Sequence, residues 1–202
     1  LSSLDDARRL MSTGVLGDAV WGASYLTWAL REAGLEATST EELAAYVEAN
    51  PASPIVPMLT YWIGDNALST GDLSTALATF EALAATGADA PFLNGTWGGM
   101  AAERQATVLE RMGAPAEAAA FLLDLVSTGA GGKLDPAQFD AAGLLWQAAA
   151  DYERAFDAAG AAAAHRGLLS LPLCSGGLPD APCATGPQRL RSESALASLL
   201  SS

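Results

Sequence analysis

The amino-acid sequence predicts an all-α protein made of antiparallel helical hairpins, and three observations predict it. Across residues 54–84, apolar or small side chains recur at helical spacing, with Met58, Tyr61, Trp62, Gly64, Ala67 and Leu68 on one segment and Leu73, Ala76, Leu77, Phe80 and Leu83 on the next. Between the segments stand Gly71, able to take the left-handed backbone that ends a helix, and Asp72, able to cap the next one. Half of the 202 residues are hydrophobic but only 7% are aromatic, and much of the remainder is alanine, which favours helix over sheet. The small residues Gly64, Ala67 and Ala76 fall where the two axes would cross, leaving Phe80 and Leu83 to fill the space beyond.

The neighbouring segments read as divergent copies of this hairpin. A short helix over 4–11 has Ser3 as its cap, with Asp5 and Asp6 near its positive end. A second helix over 18–33 places Trp21, Tyr25, Trp28 and Ala29 on one face and closes at Gly34. The next begins at Ser39 or Thr40, where Ser39 and Glu42 match a capping box, and stops at Asn50 and Pro51. Beyond 86, a third hairpin takes helices over 100–112 and 116–127, broken at Gly113, Ala114 and Pro115. Residues 127–135 read as a flexible linker. Pro136 then opens a helix to about Ala150, and 151–169 forms its partner or its continuation, since no breaker stands between them. Residues 187–200 form a terminal capping helix. The hairpins thus occupy about 17–50, 54–86, 96–128 and 135–169, in one helical-repeat domain spanning the chain.

The residues Ile63, Gly64, Ala67, Gly71, Asp72, Ala76 and Phe80 resemble the tetratricopeptide-repeat pattern, although Thr60 and Ala67 stand where that pattern favours Trp and Tyr. The resemblance implies a right-handed α-solenoid whose first helices line a concave, partner-binding face. The junction over 46–68, with its Asn-Pro stop, Ser-Pro link and Tyr-Trp-x-Gly helix, is similar to repeats of periplasmic proteins of the Tol–Pal coordinator and outer-membrane assembly lipoprotein kind. That likeness covers about a third of the chain and implies a place in the cell envelope.

The formal net charge is −13, from 23 acidic and 10 basic residues, with Lys133 the only lysine. Such a surface repels nucleic-acid backbones and anionic lipid, so neither is an expected partner. No apolar run reaches membrane-spanning length. The chain starts at Leu1 without a signal-like segment, so a processed product is expected. Cys174 and Cys183 bracket a Gly/Pro-rich stretch inside a loop over 170–187 and point to a local disulfide and a periplasmic or extracellular location; two free thiols in a surface loop are the other reading.

A single histidine, His165, in the run AAAAHRGLL with Ala and Leu as helix neighbours, reads as a packed side chain rather than a catalytic one. No phosphate loop, metal-ligand series or nucleophile motif appears, so neither a catalytic residue nor a cofactor is expected. Asn94, Gly95 and Thr96 match a glycosylation sequon. In the tetratricopeptide register Trp21, Trp28, Tyr61, Asp65, Glu103 and Arg111 face a protein or peptide partner, with Met58, Leu68, Met100 and Gln147 beside them. The competing reading of Trp21, Trp28 and Tyr61 is that they fill gaps between hairpins. Trp62 and Trp146 are assigned to the core. The expected function is therefore a non-catalytic binding scaffold; the alternatives are a helical accessory domain of a lytic-transglycosylase-like envelope enzyme, or a structural subunit of a larger assembly.

Overall fold

A computed structural model describes residues 3–86, 96–132, 139–174 and 183–201, with the side chains of 130–132 left aside. The described residues form ten α-helices: α1 Leu4–Met11, α2 Leu16–Glu32, α3 Glu36–Ala49, α4 Val56–Thr70, α5 Leu73–Thr86, α6 Trp97–Arg111, α7 Pro115–Gly132, α8 Ala141–Arg154, α9 Ala158–Ser170 and α10 Gly186–Ser201. An isolated bridge joins Leu173 and Ala184, and the described residues form no strand. The chain divides into two compact units, Leu1–Ala101 and Ala102–Ser202, with the division inside α6.

In the first unit each helix packs on the next, α1 on α2, α2 on α3, α3 on α4 and α4 on α5. The caps explain the limits of α1 and the α4–α5 turn. Ser3 Oγ accepts the amide of Asp6, Gly71 sits at φ 85, and Asp72 Oδ1 accepts the amide of Thr75 at 3.1 Å. Arg8 ties α1 to α3 through two hydrogen bonds to Glu42, and Tyr46 Oη donates to the carbonyl of Met11 at 2.9 Å.

Two glycines set how closely the helices approach. A Cβ at Gly22 would stand 2.5 Å from the carbonyl oxygen of Ala7 and 2.9 Å from Leu10 Cβ, so α2 lies against the backbone of α1. A Cβ at Gly64 would stand 2.8 Å from the ring of Phe80, which is fully buried between α4 and α5. The inner face of α2 is correspondingly small: Ala19, Gly22 and Ala23 are buried there together with Leu26 and Leu30.

Several expected limits are corrected. α3 begins at Glu36, a turn before the expected capping box, and Ser39 lies buried inside it, its hydroxyl accepting from Asn66 Nδ2 of α4 at 3.1 Å. Glu42, the other half of that box, pairs with Arg8 instead. α6 begins at Trp97, three residues before the expected start, because Thr96 Oγ1 accepts the amide of Gly99 at 2.9 Å. α7 runs into the expected linker as far as Gly132, with Gly129 at φ 64 near its end, and the remainder of that linker, 133–135, lies outside the described residues. Pro136 and the Asn94–Gly95 part of the sequon lie outside the described residues.

In the second unit α7 packs on α8, α8 on α9 and α9 on α10. α8 and α9 are separate helices, divided at Ala155, Phe156 and Asp157 rather than at Asp151. Asp157 caps α9 by accepting the amide of Gly160 at 2.9 Å, and Phe156 takes φ 56 without being glycine. Cys174 and Cys183 stand at disulfide-bonding distance, their Cα atoms 5.1 Å apart, beside the bridge that joins the approach to α10 with the end of α9. A crosslink over so short a loop contributes about 2–3 kcal/mol by restricting the unfolded chain.

The two glycine environments predict opposite outcomes on α2. Gly22→Ala lowers stability by about 1–3 kcal/mol, because the methyl group meets helix backbone and α1 must move. Gly17→Ala, with open space around its Cβ, raises stability by up to about 1 kcal/mol through helix propensity. Urea denaturation of the two variants beside the parent measures both.

Candidate functional site

Because the inner face of α2 is filled by small residues, its large aromatics point outward. Trp21 is 72% exposed and Trp28 58% exposed, values far above those of a gap-filling residue. Tyr25 lies between them in sequence, its ring centroid 5.9 Å from that of Trp28. Together with Leu10 of α1, Asp18 and Ser24, these three aromatics line an open groove of about 510 Å³. A second depression of about 290 Å³ shares Ser24 and Trp28 with the first and adds Thr27, Arg31, Glu32 and Trp62. The two neighbouring depressions, together the trough, share these residues on α2, and the second reaches α4 at Trp62.

The other residues expected on this face are dispersed. Tyr61 is only 8% exposed, and its ring lies 5.6 Å from Phe80 and 5.5 Å from Trp97, an aromatic cluster inside the first unit. It is core, because its position on α4 turns towards α5 and α6; Met58 and Leu68 are buried on the same helix. Asp65 is mostly buried and bonds Arg31 Nη1 at 2.9 Å, linking α4 to α2. Glu103 and Arg111 belong to the second unit, where both are exposed. Gln147, also in the second unit, is half-buried and donates to Glu110. Trp62, assigned to the core from the sequence, is half-buried and forms part of the trough wall. Trp146 is half-buried as well; it packs against Leu145, Leu168 and Ala184, with its ring 5.9 Å from that of His165.

A second cluster, in the second unit, has the residue types of hydrolytic chemistry. His165 Nδ1 lies 3.1 Å from Ser192 Oγ and Nε2 lies 3.4 Å from Glu153 Oε1. Ser192 is fully buried and His165 nearly so, hence no substrate carbonyl can reach the hydroxyl without opening α9 from α10. The cluster instead satisfies polar groups where those helices pack. The sequence shows the histidine but not its partners, which are 12 and 27 residues away.

A buried carboxylate lies in the same unit. Asp151 is fully enclosed and bonds Arg154, which also pairs with Glu110 at 3.4 Å. Burial, and then the negative charge of Glu110, push the Asp151 carboxyl up to about 6 against the opposing pull of Arg154. Among the described residues no group of three or more His, Cys, Asp or Glu side chains is placed to hold a metal ion, and no helix is long and apolar enough to cross a membrane.

No family model and no curated protein matches the chain. Among solved structures it is similar to the crystal structure of BtubC (BKLC) from P. vanneervenii, with a TM-score of 0.64 at 14% identity over 98% of this chain and 79% of that one. At that identity the likeness is one of fold.

The Asp151 environment has a testable consequence. An acid whose folded pKa lies above the 3.8 of an ordinary aspartate destabilises the fold where it is ionised, so its unfavourable contribution grows as pH rises from about 4 through 6. Asp151→Asn removes that slope. The melting temperature of the variant relative to the parent therefore rises between pH 4.5 and 7.5; a difference that stays constant, or falls, contradicts the assignment.

Proposed function

We propose that the protein is a non-catalytic scaffold that holds a peptide segment of a partner in the aromatic trough of its first unit. The observation that carries this reading is the exposure of Trp21 and Trp28 beside an apolar groove. Leaving a side chain of Trp size this far in water forgoes stabilisation on the order of 3–4 kcal/mol per residue. Contiguous exposed apolar surface of this kind marks interaction sites, and Trp and Tyr are frequent anchors within them. The tetratricopeptide-like hairpin over 54–84 supports the same reading, since stacked hairpins of that kind present partner-binding faces. The reading extends to a non-membrane, exported protein of the cell envelope or extracellular space, supported by the cysteine pair; with 23 acidic residues against 10 basic ones, neither nucleic acid nor anionic lipid is its partner.

Selection of peptides from a random displayed library on the folded protein tests this. Enriched peptides are expected to bind the parent and to lose at least about tenfold in affinity on Trp21→Ala/Trp28→Ala, the loss typical of an anchoring aromatic. Tyr61→Ala is expected to lower stability instead, since it opens the cluster with Phe80 and Trp97. Enrichment that survives the double Trp substitution, or retention on peptidoglycan in place of peptides, overturns the proposal.

A further inference from the structure

The trough carries charge at both ends. Asp18, Trp21, Tyr25, Trp28 and Glu32 follow one another at intervals of three, four, three and four residues, which sets them in one stripe along α2. The carboxylates are 14 positions apart, a span of about 21 Å at 1.5 Å per residue. Every arginine of α1 and α2 is already engaged: Arg8 with Asp5 and Glu42, Arg9 with Asp6, and Arg31 with Asp65. Asp18 and Glu32 have neither a hydrogen bond nor an ion pair from their side chains among the described residues. Asp18 sits in the first turn of α2, where the helix dipole favours an acid. Glu32 is the last residue of that helix, where the dipole disfavours one, so local helix energetics give no reason for its charge.

We infer that the trough takes a basic peptide segment, extended along α2, with a Lys or Arg near each end and apolar side chains between. This rests on the reading of the trough as a peptide site and specifies its ligand. The aromatic faces accept the apolar centre and also attract cations, and the carboxylates at the two ends fix where the cations lie. At about 3.4 Å per extended residue, the span corresponds to basic residues about six positions apart. The net charge of −13 steers such a segment towards the protein, and the charge of Arg31, which lines the second depression, is offset by its pairing with Asp65.

Titration of intrinsic tryptophan fluorescence with two synthetic heptapeptides tests the inference. Both have a centre of leucine and phenylalanine spaced by serine; one ends in lysine on both sides and the other in glutamate. The lysine peptide is expected to bind at least about tenfold more tightly, and that preference is expected to shrink severalfold in Asp18→Asn/Glu32→Gln and at high salt. Circular dichroism of the variant checks that its helices are intact. Equal binding of both peptides, lost on Trp28→Ala, overturns the charge inference and leaves the trough as a peptide site. A lysine preference unchanged in the double carboxylate variant also overturns it, since the attraction then comes from the net charge. Failure of both peptides to bind overturns the inference together with the peptide-site reading.

Discussion

The backbone contact between α1 and α2 at Gly22 is the constraint on which the first unit depends. With a Cβ at that position only 2.5 Å from a main-chain oxygen of α1, no side chain fits between the two helices. The inner stripe of α2 is therefore restricted to Ala19, Gly22 and Ala23 near the crossing, and bulk appears only further along at Leu26 and Leu30. Aromatic residues on such a helix have no interior to enter. Trp21, Tyr25 and Trp28 consequently lie on the far side, with Leu10 of α1 forming a wall beside them. The close approach that holds the hairpin together is thus also what leaves the aromatic face open.

The second unit solves a related problem with polar groups. Its helices α8 and α9 are rich in alanine and bury little apolar area per residue, so hydrogen bonds at their contacts supply orientation. His165 connects α8, α9 and α10 through Glu153 and Ser192. Such a network is costly if incompletely paired and specific when complete, which suits a terminal helix that has few large side chains to position it. Asp151 is the exception: its carboxylate is buried beside another acid and held partly in check by Arg154.

Much of this architecture was legible in the sequence where local chemistry decides it. Ser3, Gly34, Gly71 and Asp72 mark helix ends through their own backbone and side-chain preferences, and the structure uses each as expected or one residue away. Where tertiary contacts decide, the reading failed. Ser39 followed by Glu42 has the form of a cap, but Ser39 is drawn into the interior by Asn66 and Glu42 outward by Arg8. The α8–α9 break was set several residues early, at Asp151, or left out altogether, because Phe156 takes a left-handed backbone that its residue type does not announce; the usable signal was Asp157 followed by Gly160 three residues later. Periodicity placed Trp21, Trp28 and Tyr61 on helical faces without distinguishing inner from outer, since an alanine stripe and an aromatic stripe have the same period. The outward position of the aromatics follows from the small stripe facing α1, a tertiary contact that periodicity does not encode.

The central claim is that Trp21 and Trp28 form an open face while Trp97 is sealed in the core. Oxidation with limiting N-bromosuccinimide, read by peptide-level mass spectrometry, tests it in one experiment on the unmodified protein. Modification at Trp21 and Trp28 first, with Trp62 and Trp146 slower and Trp97 last, is the order the structure predicts. Protection of Trp21 and Trp28, or reaction of Trp97 at a comparable rate, would contradict it.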